Sequence, residues 1–387
     1  MASVPKAGVT IIREPNGSGF SPERKMPRRA ERGLTCRLAG ADELERVAAF
    51  SRRAAGVSIP PEYWRWRYYE NPAGASGIAI ALEGEEIVGL MSAFAVPFQV
   101  DGRRVLASQM GHNDVLKSHR SANAYFLLAS TVFRELVDGR GIEFCYGVAI
   151  KETRDLSVVF MGFEEVGPIA KLVRVLNPVP HLRKRWRLPV PRALGGLLAL
   201  GRGRAARRRL RAFDVAPFDH FSEVEDGPWD EARPAPVFAA REPSLLEWRY
   251  VRCPLRHYRR LRVRAGGRLV GILVYHEYEE QGVRYGVIDE CFALEEGGAA
   301  ALADAAIAEL RDRDVDAIVA WASPATAAYR VLQDHGFSSR PSPRSLIVRP
   351  LAEGMAPAAL AAAGSWYYTI GDTEYWLFPV DEGWSGD

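Results

Sequence analysis

Trp66-Arg67-Tyr68, followed by Pro72, Gly84, Val88 and Gly89, returns as Trp248-Arg249-Tyr250, Pro254, Gly266, Val270 and Gly271, at a constant offset of 182 positions (248 − 66). Each copy then runs through a second turn, Asp101-Gly102 and Gln281-Gly282, a strand, a helical stretch and another strand. Each closes on a Gly-Phe pair, Gly162-Phe163 and Gly336-Phe337. A period this long exceeds that of a solenoid repeat and fits a duplicated domain. Two copies of one α/β unit are therefore expected.

Composition narrows the class. At 387 residues, about half of them apolar and a quarter charged, the chain can bury two ordinary soluble cores and is too apolar to be disordered as a whole. A net charge of +3 gives no whole-molecule signal for nucleic acid. Cys36, Cys145, Cys253 and Cys291 form no Cys-x-x-Cys, which argues against a zinc site or a disulfide framework and for a reducing, cytoplasmic setting. Residues 1–33 carry Lys, Arg, Pro, Gly and Ser without an apolar signal-peptide core, and read as a disordered N-terminus of an unexported chain. No apolar run approaches the length of a membrane span.

Periodicity places the elements. Asp42 is the expected cap of a helix carrying Leu44, Val47, Ala48 and Phe50 at helical spacing, and Trp64–Tyr69 reads as a short helix stopped by Asn71-Pro72. Ile78–Leu82 and Ile87–Phe94 read as a hairpin around Gly84, Val105–Val115 as the next strand, and Ala129, Val132, Phe133 and Leu136 as one helical face. Ile142–Val148 follows as a strand, then a short helix through Leu156 and Val159. The second copy repeats this order from the Trp248 helix to Gly336-Phe337. Beyond it lie a strand at Leu346–Val348 and a tail, Trp366 to Phe378, apolar enough to dock as a strand.

Between the copies, Val166 to Phe213 holds no Asp or Glu. It carries Arg183-Lys184-Arg185, Arg187, Arg192, Arg202, Arg204, Arg207-Arg208-Arg209 and Arg211 around Trp186 and Leu194–Leu200. Such a segment serves as a solvated linker, or as a peripheral contact to an anionic membrane or acidic polymer. It has no nucleic-acid-binding motif.

The order helix, helix, hairpin, long strand, loop-to-helix, strand, short helix and Gly-Phe resembles the GNAT acyl-CoA N-acyltransferases, over residues 34–166 and 235–345. Within that superfamily the chain is similar to bacterial proteins with two tandem GNAT-like domains. Those proteins share a Trp-Arg-Tyr-x-x-x-Pro segment and an ending close to Trp366–Asp372, and are linked to cell-surface polysaccharide pathways. The resemblance implies an α/β fold of layered α+β type, in which each domain is a mixed, mostly antiparallel sheet flanked by helices. It divides the chain into an N-terminal domain 34–166 with an acyl-CoA site, a basic linker 167–214, and a C-terminal domain 215–387 with a degenerate CoA loop.

It also implies a co-substrate, acetyl-CoA or another acyl-CoA, and no metal. A pyrophosphate is best held by inward-pointing amides at a helix N-terminus. The corresponding residues are Val115, Leu116, Lys117, Arg120, Ser121, Ala122, Asn123 and Ala124, with Arg120 matching the family's Arg. Asn123 stands where Gly is usual and is expected to tolerate positive φ, while Tyr125 narrows the channel. In the second copy Glu295-Glu296 replaces the cradle with negative charge. His112 and Asp114, two apart on one strand face, are the candidate base and its partner, and Asn113 faces the other way. The Tyr that serves as acid in many family members is replaced by Val158 and Leu332, leaving Tyr146 and Tyr329 as candidates. The expected acceptor is an amine of a small molecule or amino sugar. A noncatalytic binding protein and a Fem-type aminoacyl transferase are the alternatives.

Overall fold

The computed structural model describes residues 33–56, 58–120, 122–180, 212–227, 229, 233–352, 355 and 357–373. The first repeat runs β1 (Leu34–Leu38), α1 (Leu44–Ala55), α2 (Pro61–Tyr68), β2 (Gly77–Glu83), β3 (Glu86–Val100), β4 (Arg103–Val115), α3 (Ala122–Val132), β5 (Ile142–Ile150), α4 (Lys151–Met161), β6 (Glu164–Pro168) and β7 (Lys171–Val175). The second runs β8 (Asp214–Pro217), β9 (Val237–Ala239), α5 (Pro243–Tyr250), β10 (Arg259–Ala265), β11 (Arg268–Glu280), β12 (Val283–Ala293), α6 (Glu296–Asp312), β13 (Ala317–Trp321), α7 (Ala327–Asp334), β14 (Ser338–Arg340), β15 (Arg344–Pro350), α8 (Pro357–Ala361) and β16 (Trp366–Tyr367). The expected order of elements holds in both copies. The long hairpins turn on the same chemistry: Asp101-Gly102 and Gln281-Gly282 all have positive φ (50, 79, 49 and 76°), the mirror-image turn that matches strand twist.

Two sheets result, with the orders β1-β2-β3-β4-β5-β15-β6 and β14-β7-β13-β12-β11-β10-β8. The repeats have exchanged strands. β15, from the end of the second repeat, lies antiparallel between β5 and β6 of the first sheet. β7, from the end of the first repeat, lies antiparallel between β13 and β14 of the second. The links into the exchanged strands are short, Ile169-Ala170 before β7 and Pro341-Ser342-Pro343 before β15, so each strand passes from one sheet to the other within a few residues. β7 falls inside the stretch 167–214 read as a linker.

Matching residues of the repeats meet at the interface. The indoles of Trp66 and Trp248 stack with centroids 4.8 Å apart. Each Nε1 donates to the other's backbone carbonyl, at 3.0 and 3.2 Å. The recurrent tryptophan, a marker of the repeat in sequence, thus lies between the two units, on their pseudo-twofold. The tail docks here as well: β16 pairs in parallel with β9, and Trp366 packs edge-on against Phe98 and Phe144 of the first sheet.

Some local expectations change. The first helix is entered through Ala41–Glu43 with Gly40 as cap, and Glu43 accepts from the Gly40 amide at 3.0 Å, so Asp42 is not the capping residue. Among the described residues no helix is long and apolar enough to cross a membrane, and no group of His, Cys, Asp and Glu is arranged to hold a metal. The Arg-rich run 181–211, the N-terminal 1–32, Ser121, and the tail from Glu374 through Trp376–Phe378 lie outside the described residues.

Candidate functional site

β4 and β5 pair in parallel from Leu106–Ile142 to Gln109–Tyr146, and no pairing continues beyond that point. A register shift between Met91 and Ala93 marks a bulge in the β3–β4 ladder opposite the same place. Parting strands leave backbone groups and side chains available to a ligand. The resulting cleft is lined by Met110, Gly111 and Asn113 of β4, Gly147 to Ala149 of β5, and Tyr125 of α3. Thr153, Ser157 and Met161 of α4, Met91 of β3, and Ile347 of the exchanged β15 complete it. Methionine, glycine and hydroxyl groups make a soft apolar slot with a few polar contacts, the usual character of a small-molecule site.

Asn113 faces the cleft, as strand alternation required. His112 lies on the other face, buried, with its ring 4.7 Å from that of Trp64. Asp114, the last residue but one of β4, is half-buried. Tyr146 is not in the cleft lining: it is buried between the sheets, its hydroxyl donating to Gln109 Oε1 at 3.0 Å with the Asp372 carbonyl 3.4 Å away. Burial, reinforced by the Asp372 carboxylate, pushes this phenol well above its ordinary range, so it keeps its proton.

The loop ahead of α3 takes a different shape from the one expected. Val115 ends β4, the Leu116 amide donates to the Val88 carbonyl at 2.9 Å, and Lys117–His119 forms a short 3-10 turn. Arg120 is extended and exposed, its Nε donating to the Val115 carbonyl at 3.1 Å. Asn123 sits inside the first turn of α3 and is not among the positive-φ residues. Its expected left-handed role is absent, because the 3-10 turn has already redirected the chain. Ala124 is buried. Tyr125, read as an obstruction, instead reaches across the cleft, its hydroxyl 3.0 Å from Ser157 Oγ on α4; burial raises its pKa. Val158, in the place of the expected acid, is 40% exposed on the surface of α4.

The second repeat is closed at the matching place. Phe213 fills the approach to α6, where a Cβ on Gly297 would lie 2.8 Å from its ring, and Glu296 is bound to Arg330 at 2.7 Å. Met91 faces Asn113 as Leu273 faces Cys291, so Glu290 is the counterpart of His112. Glu290 is engaged in a buried cluster. Arg241 donates to it at 2.9 Å and to Asp372 at 2.6 Å, Arg249 donates to Asp372 at 3.4 Å, and the Tyr367 hydroxyl donates to Glu290 at 2.6 Å. Beside it His276 Nδ1 and Asp289 lie 2.7 Å apart. The tail is clamped over this strand end: a Cβ on Gly371 would sit 1.9 Å from the Tyr250 hydroxyl oxygen, so only glycine fits.

No family model matches the chain, and no curated protein matches it by sequence. The fold does have relatives among solved structures. N-myristoyltransferase of Saccharomyces cerevisiae with bound myristoyl-CoA is 13% identical, with 85% of this chain and 82% of that one covered at a TM-score of 0.56. A GCN5-related N-acetyltransferase from Anabaena variabilis is 12% identical, with 82% and 72% covered and a TM-score of 0.55. A glucosamine N-acetyltransferase region of a fungal multi-domain β-N-acetylglucosaminidase is 14% identical, with 82% of this chain and 38% of that one covered and a TM-score of 0.53. The chain thus has the GNAT fold in two tandem, strand-exchanged copies.

Proposed function

We propose that the chain is an acyl-CoA-dependent N-acyltransferase whose first repeat, 34–166, binds the donor. The observation that carries this reading is the parting of β4 and β5 beyond Gln109–Tyr146, flanked by α3 and α4. The donor's pantetheine arm would lie along Gly111–Asn113 and Gly147–Ala149. Its pyrophosphate would lie at the α3 N-terminus, where the helix dipole and the charges of Lys117 and Arg120 favour an anion. The acceptor amine attacks the thioester carbonyl, the C–N bond forms, the C–S bond breaks and the thiolate leaves. The ammonium proton would pass to the His112–Asp114 face of β4, which lies opposite the Asn113 face that lines the cleft, so the acceptor would approach the parted strands from that side. Tyr125, Ser157 and Thr153 are the hydroxyl-bearing residues of the cleft lining and would be available to the departing sulfur.

The second repeat, 215–387, then serves as the scaffold that contributes β15 and the tail. The proposed acceptor is an amine of a small molecule or an amino sugar, such as a precursor of cell-surface polysaccharide, handled in the cytoplasm. The Arg-rich segment between the repeats is the proposed contact to an anionic membrane or acidic polymer. The Tyr125–Ser157 bond, which spans the cleft, favours a second reading in which the chain binds its ligand without turnover. Calorimetric titration with acetyl-CoA and free CoA, repeated on Arg120→Glu, tests the donor site: micromolar binding weakened by the charge reversal supports it. An absence of binding by the unaltered chain removes it, and saturable turnover with any amine removes the noncatalytic reading.

A further inference from the structure

Gly147 is a glycine that the fold itself does not require. It lies inside β5, and its φ is outside the left-handed region. A Cβ built on it would meet Ile347 Cγ1 and Met110 Cβ at 3.7 Å and the Met110 carbonyl at 3.8 Å, which is ordinary van der Waals contact. Other strand glycines differ. A Cβ would fall 2.7 Å from Ala293 at Gly271 and 2.7 Å from Leu310 at Gly286, so packing demands those two. The pseudosymmetry sharpens the contrast: Ile347 of the exchanged strand pairs with Gly147 as Leu172 of the other exchanged strand pairs with Ala320. The repeat with the closed site therefore carries a methyl group where the repeat with the cleft has bare backbone. A strand glycine with room for a side chain marks the close approach of something else.

Resting on the donor-site reading above, we propose that the space over Gly147 receives the acyl end of the donor, and that Ile347, contributed by the second repeat, limits that acyl group to short chains. Ile347 lines the cleft and is 2% exposed. Its strand is paired on both sides, Ile347 lying opposite Gly147 and Glu165, so its backbone is fixed at the cleft. Met110 closes the space opposite it. A short acyl group over Gly147 would lie against both side chains, and a longer chain would meet the isoleucine. Acyl length is then set by a residue more than 180 positions from the rest of the cleft, through the exchange of strands.

The test is calorimetry on the full chain with free CoA, acetyl-CoA and hexanoyl-CoA, for the unaltered protein and for Gly147→Ala, Ile347→Ala and the milder Ile347→Val, with thermal melts confirming that each is folded. The unaltered chain is expected to bind acetyl-CoA more tightly than hexanoyl-CoA. Gly147→Ala should weaken acetyl-CoA about ten-fold, the scale of one misplaced methyl group in an apolar pocket, and weaken free CoA, which has no acyl group to displace, by clearly less. Ile347→Ala should shift the preference toward hexanoyl-CoA by about ten-fold, and Ile347→Val in the same direction by less. Binding of all three ligands unchanged by these substitutions overturns the acyl subsite while leaving the donor cleft standing. Failure of the unaltered chain to bind free CoA or either thioester overturns both.

Discussion

Asp372→Ala should be the most damaging single substitution in the tail, and its size follows from the cluster it belongs to. Arg241 and Glu290 have fully buried side chains, and those of Asp372 and Arg249 are 5% and 9% exposed. Two cations and two anions balance. Removing Asp372 leaves one buried positive charge uncompensated, which costs about 3–5 kcal/mol, and the Thr369 amide loses its acceptor at 2.9 Å, for about 1 kcal/mol more. A total of about 4–6 kcal/mol is a large share of the 5–15 kcal/mol typical of a folded domain. Asp372→Asn, which keeps shape and one acceptor, should lose less. The decisive comparison is the double variant Asp372→Ala/Arg249→Ala. It removes one charge of each sign and should be more stable than the sum of the single changes by at least about 1 kcal/mol. Equilibrium urea unfolding followed by tryptophan fluorescence measures all four, since Trp66, Trp248 and Trp366 are buried. A loss below about 1 kcal/mol for Asp372→Ala, or strict additivity in the double variant, would refute the balanced-cluster argument.

Two further perturbations probe the interface and the first sheet's edge. Trp66→Phe and Trp248→Phe each remove one of two equivalent hydrogen bonds while keeping a ring in the stack. Each should cost about 1 kcal/mol in the same unfolding assay, and unequal losses would argue against the symmetric contact. Glu43 is held well below its ordinary 4.5, to about 2, first by its hydrogen bond from Arg37 and then by the Gly40 amide and Arg46. Because the folded-state value is depressed, this contribution is complete above about pH 4.5 and fades as pH falls toward 2. Glu43→Gln should therefore show a smaller drop in urea midpoint than the parent between pH 5 and pH 3, and an unchanged drop would discard the assignment.

The candidate site was legible unevenly. Strand alternation placed Asn113 and His112 on opposite faces of β4, and both positions held, because a two-residue period is local geometry. Tyr125 was visible only as a bulky residue in a loop, since its partner Ser157 lies 32 positions away and on another element. Asn123 was misjudged because left-handed preference is a tendency, and the 3-10 turn at Lys117–His119 had already reversed the chain. Gly147 carried a faint signal as a glycine inside an apolar strand. Ile347 carried none.

What the sequence by itself determined is the duplicated unit, the order of its elements and the asymmetry between its two loops, because turn residues, apolar period and charge act over a few neighbours. Only the tertiary structure decided where β7 and β15 pair, that Trp66 meets Trp248, and that Asp372 is locked between Arg241 and Arg249. The two repeats present equivalent slots to equivalent strands, so local pattern fits either pairing. The packing of the finished interface, with Trp66 stacked on Trp248, chooses between them.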